Sequence, residues 1–439
     1  MPNYSVLSSK IERIVGSENL LYSQEGFSDF AVDNKVPKLI AHPSSKEEIS
    51  EILRVANEEE YSICPWSQGT KIGIGNILKS VDIVLSMSRL RRIVEYDHAN
   101  LTVTVEAGVK LSDLQKLLED KRQFLPIDPM FSPMCSIGGV ISSNSNGPRR
   151  SRYGSVRDLL IGMKAVLPTG EKIKAGGKVV KNVAGYDMCK LFIGSFGTLG
   201  VIIEATFKLY PLPELERTVL ISFDKSAQVF ELASSILDSV IFPSSLDALS
   251  PSALGVLSNS LGIVFRENSS CLAVRLEGFR ESVEREIGEI RKMTNCDARI
   301  LDGSEQNEFW MALSDFSHLS QSNFRFKATI PISATSEAFK NFDESSESLG
   351  FKINLISHAG SGIIYGFLWT EEIDKLIEFI DQSNSYTAKS GGYFVVELAP
   401  VKIKEKINVW GYLPGGVNIM RTLKEKFDPK GIMNPERLL

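Results

Sequence analysis

The sequence has no Cys-x-x-Cys pair, no long apolar run and no excess of basic residues. Its five cysteines, Cys64, Cys135, Cys189, Cys271 and Cys296, are scattered and odd in number. Iron–sulfur clusters and thiolate zinc sites need grouped cysteines, so neither is expected, and free thiols in a reducing compartment are the plain reading. No apolar stretch approaches the roughly 18 residues that span a bilayer. The opening MPNYSVLSSK lacks the basic-then-apolar pattern of a signal peptide, which makes the cytoplasm the default expectation. A net charge of −5 gives no electrostatic reason to expect nucleic acid. Two nucleotide-binding signatures are also missing. Gly73 and Gly75 fit a G-x-G, but Leu78 stands where a dinucleotide fingerprint needs its third glycine, and no G-x-x-x-x-G-K-[ST] occurs.

What is present is a chain of 439 residues, 43% hydrophobic and 23% charged, enough for about two or three ordinary globular domains. Three glycine-rich loops stand out: PWSQGTKIGIGN (65–76), GGVISSNSNGPRRSRYGSVRDLLIG (138–162) and GSFGTLGVIIE (194–204). Small residues let backbone approach a bulky or phosphorylated ligand. If Ser136 and Ile137 open a helix, its free N–H groups would face an anion.

Periodicity gives the coarse elements. Ile11, Ile14 and Val15 mark a short N-terminal helix. Ser45 and Glu48 form a capping box before Ile49, Ile52, Leu53 and Ala56, which share one helical face. YSICPW and VDIVLSM read as strands, RIVEYDHANLTVTVEAG as a hairpin, and LSDLQKLLEDK as a helix, a βαββαβ-like opening. LLIGMKAVLPTGEKIKAGG reads as two strands around a turn, and VIIEATFKLYP as a strand closed by proline. Pro211 and Pro213 suit a domain boundary. From about Arg217, strand-like runs alternate with amphipathic helices, so a second α+β sheet domain is expected, two similar βαβ halves being one way to build it. A final helix at 418–427 sets Ile419, Leu423 and Phe427 on one side. The fold class is α+β.

GPRR (147–150), KNVAGYDMCKLFIGSFGTLGVIIE (181–204) and the tail DPKGIMNPERL (428–438) carry a family resemblance. Their order and spacing are similar to the FAD-binding domain of vanillyl-alcohol oxidase, or PCMH-type, flavoproteins, most closely the FAD-binding (E) subunit of bacterial glycolate oxidase. The likeness is best over 37–213 and the last thirty residues. It implies an N-terminal helix and linker (1–36), a two-lobed FAD-binding domain (37–213), an α+β cap domain with an antiparallel sheet (214–408), and a C-terminal segment (409–439) that returns to the FAD domain. It also implies FAD as cofactor. The first loop would wrap the pyrophosphate through Ser67, Gly69, Thr70, Lys71 and Gly73. Thr70 stands where some relatives have a histidine bonded to the flavin, so the FAD is expected without a covalent link. Pro129, Ser136, Gly138, Gly139, Ser142 and Asn144 would follow the ribityl chain and ring, Gly154 would allow close approach, and the backbone of Val201 and Ile202 would meet the adenine end. Asn434 would reach the flavin edge. Lys181, Tyr186 and Asp187 match a pattern that fixes a loop.

Arg149 and Arg150 have two readings beyond plain solvation, neutralising pyrophosphate or gripping a partner. Arg325 fits either a clamp on a substrate carboxylate or a strand-edge arginine. His358 resembles the edge of a family histidine motif whose acidic and amide positions are here Ser361 and Ile363. Metal is therefore not expected, and a general base or a structural histidine remain. The resemblance implies oxidation of a short 2-hydroxy acid, glycolate or D-lactate, within a complex holding a sister flavoprotein subunit and an iron–sulfur subunit. A stand-alone D-2-hydroxyacid dehydrogenase or oxidase, and a catalytically silent flavin-carrying or structural subunit, are the other readings. Any membrane contact would be indirect, through partners.

Overall fold

The computed structural model describes residues 4–22, 27–177, 187–294, 296–412 and 415–438. Lys181 and Tyr186 lie outside them. The chain divides into two units, one of Met1–Ser145, Ser155–Pro211 and Pro414–Leu439, the other of Asn146–Gly154 and Leu212–Leu413.

The first unit is built on two sheets. In the first, β1 (Leu20–Tyr22), β2 (Leu39–Ala41), β3 (Ile63–Trp66) and β4 (Ile83–Ser86) are ordered β1-β2-β4-β3. β2, β4 and β3 run parallel, and β1 is antiparallel to β2. β4 is buried at every position, as a central parallel strand covered on both faces must be. Helices Tyr4–Val15 and Lys46–Glu59 pack here through Leu7, Ile11 and Val15 and through Ile49, Ile52, Leu53 and Ala56. The capping box is only half made. Ser45 Oγ accepts the Glu48 N–H at 3.2 Å, but the Glu48 carboxylate turns to Ser44, accepting its N–H at 2.7 Å and its hydroxyl at 2.9 Å.

The second sheet holds β5 (Ile93–Asp97), β6 (Thr102–Glu106), β8 (Leu160–Val166), β9 (Lys172–Gly176) and β10 (Val201–Lys208), all antiparallel in the order β5-β6-β10-β8-β9. β7 (Gln123–Phe124) and β11 (Tyr210–Pro211) form a small ribbon. The βαββαβ opening is thus corrected: the β5–β6 hairpin leaves the first sheet and pairs with β10. Local alternation fixes the hairpin but says nothing about a partner a hundred residues further on.

The second unit carries one eight-stranded antiparallel sheet. Its strands are β12 (Leu215–Phe223), β13 (Ser245–Leu249), β14 (Ser270–Gly278), β15 (Ala298–Leu301), β16 (Phe324–Thr329), β17 (Asn354–His358), β18 (Ile363–Leu368) and β19 (Tyr393–Leu398). Their order is β15-β12-β14-β13-β17-β18-β16-β19. It is two βαββαβ halves placed edge to edge, with mirrored strand order and the β13–β17 pair as the seam. Helices Ser226–Leu237, Arg280–Met293, Thr335–Ser348 and Ile373–Lys389 share one core with alternate strand residues such as Leu246, Val274, Leu276, Phe326 and Leu355. By the two-residue period of a strand, the opposite face receives Glu216, Asp247, Arg275, Glu277, Arg325 and His358.

Candidate functional site

An open cleft with an empty volume of about 790 Å³ lies in the first unit. Its walls come from the loop after β3, the turn before the short helix Ile137–Ser142, the loop entering β10, and the C-terminal tail. Eleven of the expected cofactor residues line it: Ser67, Gly69, Thr70, Lys71, Ser136, Gly138, Gly139, Ser142, Val201, Ile202 and Asn434. Gly73, Pro129 and Asn144 are outside the lining, and Gly154 belongs to the second unit.

The first loop is shaped for an anion. Gly69 has φ +70°, and a Cβ there would sit 2.6 Å from the Trp66 ring. The N–H groups of Ser67, Gln68, Gly69 and Thr70 donate to no backbone acceptor among the described residues, which is the arrangement of a turn-based anion nest. Lys71 points its ammonium elsewhere, to the Met130 carbonyl at 2.8 Å and the Cys135 sulfur at 3.5 Å. Thr70 Oγ1 is 3.7 Å from the same sulfur.

The second loop differs from its expectation. The helix does open at Ser136, whose Oγ accepts the Gly139 N–H at 3.2 Å. Its first amides are not free, however: Ile137 donates to the Val109 carbonyl at 2.9 Å and Gly138 to that of Ala107 at 2.8 Å. This helix end therefore offers room rather than charge. A Cβ on Gly138 would meet Ala107 Cβ at 2.9 Å, whereas one on Gly139 would meet only Ser136 Oγ, at 3.0 Å.

The tail closes the cleft. The Ile63 N–H donates to the Ile432 carbonyl at 2.8 Å, and the Asn434 N–H to that of Ile63 at 3.0 Å, so the tail extends the β3 edge. Asp428, fully buried as a side chain, accepts from the Ile432 and Met433 N–H groups and pairs with Lys424. Burial lowers the Lys424 pKa although Asp428 pulls the other way. Arg437 pairs with Asp33 at 2.8 Å, both buried, and donates to the Asn76 carbonyl. Gly75 is glycine because a Cβ would lie 2.6 Å from Arg437 Cδ.

Ser67 Oγ and Asn434 Oδ1, both buried in this lining, have no hydrogen-bond partner among the described residues. Buried polar atoms are costly when unpaired. A polar, phosphorylated ligand would satisfy both, so the residues present fit FAD. Trp66, Ala107, Phe196, Gly197 and Arg437 also line the cleft. Trp66, Phe196, Gly197 and Arg437 fall inside the quoted loops and tail without having been assigned a role, and Ala107 falls outside them.

The remaining expected residues lie in the second unit. Arg149 is committed to internal carboxylates: its guanidinium meets Glu277 at 2.7 Å and Glu216 at 3.0 Å. Arg275 joins the same two carboxylates, and the Tyr153 hydroxyl donates to Glu277 at 2.8 Å. Burial alone would raise the Glu277 pKa, but Arg149 and Arg275 outweigh it and hold the carboxyl below its usual range. The pyrophosphate reading of Arg149 gives way to an internal ion-pair cluster. Arg150 sits in the same segment.

Arg325 is buried, donating to Glu397 at 3.1 Å and Ser317 Oγ at 2.9 Å. His358 Nδ1 is 3.0 Å from Asp247 Oδ1. The two expected catalytic residues are not neighbours. Through Ile363, Thr329 and Phe367 they stand four residues along and two strands across, roughly 16 Å between Cα atoms. Tyr365 lies between them, its phenol pushed up by burial and then by Glu397.

A family model for the FAD binding domain matches residues 37–176, and one for the C-terminal domain of FAD linked oxidases matches 212–438. Glycolate oxidase subunit GlcD of Bacillus subtilis (strain 168) is 29% identical over 98% of this chain and 96% of its own length. The glycolate oxidase resemblance is thus met here by a subunit named GlcD. A D-lactate dehydrogenase of Archaeoglobus fulgidus is 28% identical over 91% of each chain. Among solved structures, p-cresol methylhydroxylase with substrate bound superposes at TM-score 0.78 and 16% identity, covering 99% of this chain and 96% of that one, a likeness of fold. No helix among the described residues is long and apolar enough to cross a membrane. With both of its domain models matched and the second alone spanning more than half its length, the chain belongs to the FAD-linked oxidases.

Proposed function

We propose that this chain oxidises a short 2-hydroxy acid, of the glycolate or D-lactate type, with FAD held without a covalent link. The observation that carries the cofactor half is the cleft whose orphaned polar atoms Ser67 Oγ and Asn434 Oδ1 sit beside four uncommitted amides. The substrate half is supported by relatives named glycolate oxidase subunit and D-lactate dehydrogenase. Bound FAD supplies the two-electron acceptor. The chain's own task is positional. The Ser67–Thr70 amides take the pyrophosphate charge, Gly138 and Gly139 leave room for the cofactor, and the Asn434 amide and Ser67 hydroxyl fix its polar edges. Thr70 has no imidazole with which to bond the flavin. His358 receives the hydroxyl proton, and Arg325, two strands away on the same sheet, is held by Glu397 and Ser317.

A second reading is favoured by a specific observation: Arg325 and His358 already have buried partners. A flavin-carrying subunit that works through a sister flavoprotein and an iron–sulfur subunit accords with this, and with a relative named as a subunit. Anaerobic mixing of the flavin-loaded chain with glycolate or D-lactate separates the two. Bleaching of the visible flavin band by either acid supports the first reading. Bleaching only after co-purified subunits are added supports the second, and none under either condition contradicts both.

A further inference from the structure

We infer that Asp247 is the positioning residue that makes His358 an oriented base for the hydroxyl of the substrate; this rests on the proposed oxidation of a 2-hydroxy acid. The two residues come from opposite halves of the eight-stranded sheet and are direct cross-strand partners at the seam, Asp247 on β13 and His358 on β17. Direct partners in an antiparallel pair project from the same face with Cβ atoms about 5 Å apart, so the contact is set by the register of the seam. Asp247 is 1% exposed, and its Oδ1 lies 3.0 Å from His358 Nδ1. A carboxylate only accepts, so Nδ1 carries the proton and the lone pair is left on Nε2. Asp247 Oδ2 is buried without a hydrogen-bond partner among the described residues. A buried carboxylate with one oxygen unpaired is costly to the fold and unexpected in a group with no role. The Tyr365 ring packs on the imidazole in a T-shaped contact, 5.4 Å between centroids, and limits its rotation.

The step balances. His358 Nε2 would take the substrate's O–H proton, and FAD, when bound, would supply the acceptor for the C–H hydrogen and its two bonding electrons, so that the C–O bond would become the C=O of a 2-oxo acid. Asp247 touches neither substrate nor cofactor. It selects the tautomer and supports the imidazolium that forms, a division of labour known from Asp–His pairs in hydrolases.

The test uses the flavin-loaded full chain and the variants Asp247→Asn and His358→Gln. Long-range ¹H–¹⁵N spectra of protein labelled at its four histidines report tautomers without any turnover. The wild type should show His358 protonated at Nδ1, and Asp247→Asn should move the proton to Nε2. In anaerobic mixing, Asp247→Asn should slow flavin reduction by roughly 10²- to 10⁴-fold while the substrate concentration giving half-maximal rate stays within about twofold. His358→Gln should slow it at least as much. An Nε2–H tautomer in the wild type, or an Asp247→Asn variant reducing flavin at the wild-type rate, overturns the inference. A wild type with the Nδ1–H tautomer whose flavin no 2-hydroxy acid ever reduces overturns the functional reading and the base role with it, and leaves only the orientation standing.

Discussion

Replacing Gly139 by tryptophan should empty the cleft without unfolding the protein. The Gly139 Cβ position has a single neighbour within 4 Å, Ser136 Oγ at 3.0 Å, so a larger side chain extends from the helix into space the cleft provides. Displacing the Ser136 hydroxyl from the Gly139 N–H costs about 1 kcal/mol of capping. Replacing a helical glycine returns up to about 1 kcal/mol. The apo forms of wild type and variant should therefore agree within about 1 kcal/mol in urea unfolding. The flavin-loaded forms should not. Ligand at a thousandfold excess over its Kd stabilises by about 4 kcal/mol, which the variant cannot gain. Gly139→Ala, adding only the Cβ, should keep its flavin. The assay is the FAD-to-protein ratio from the visible spectrum, paired with the urea midpoint. Stoichiometric FAD in Gly139→Trp would refute the reasoning, as would loss of the fold in Gly139→Ala.

The other outcomes follow from three named groups: Glu277, Asp428 and the cysteines. Glu277→Ala leaves Arg149 and Arg275 with Glu216 as their one remaining shared carboxylate and should cost about 3 kcal/mol in urea unfolding. A carboxyl held below its ordinary range contributes stability that is present above the unfolded-state value and lost as pH falls through the folded one. The wild-type urea midpoint should thus drop below about pH 4.5, and Glu277→Gln should lack that part of the decline; identical pH profiles would count against it. Asp428→Ala strands Lys424 and two tail amides, and should cost about 2–5 kcal/mol and lower FAD content; unchanged stability would show that the tail is held otherwise. Burial pushes the Cys64 and Cys271 thiols up to about 12 and Cys189 up to about 11. Iodoacetamide at neutral pH should modify the half-buried Cys296 first, as read by peptide mass mapping. Equal labelling of Cys64 would contradict this.

Helices and hairpins were legible because their signals are local. The stripe Ile49, Ile52, Leu53 and Ala56 is buried as its spacing requires, and the turn between β8 and β9 closes at Gly170 with φ +84°. Partners distant in sequence were not legible: nothing in TVTVE indicates that it pairs with β10. The cleft follows the same rule. Glycine and serine loops announce room, so Gly69, Gly138, Gly139 and Ser67 could be read from the chain. Which amides remain available depends on neighbours that only the fold supplies, and the Ile137 and Gly138 amides are taken by the 107–109 turn. Arg149 looked like an anion ligand because an exposed arginine and a buried one are written alike; its carboxylates come from β12 and β14. The Asp247–His358 pair is silent in sequence for the same reason, being 111 residues apart.

The account rests on one cofactor lying where three loops and the tail meet, and electron density for FAD in crystals of the flavin-loaded full chain tests that most directly. The expected result places the pyrophosphate within hydrogen-bond distance of the Ser67–Thr70 amides and gives Asn434 Oδ1 a partner from the cofactor. Density for FAD at any other place, or a cleft filled by the protein's own side chains, would contradict it.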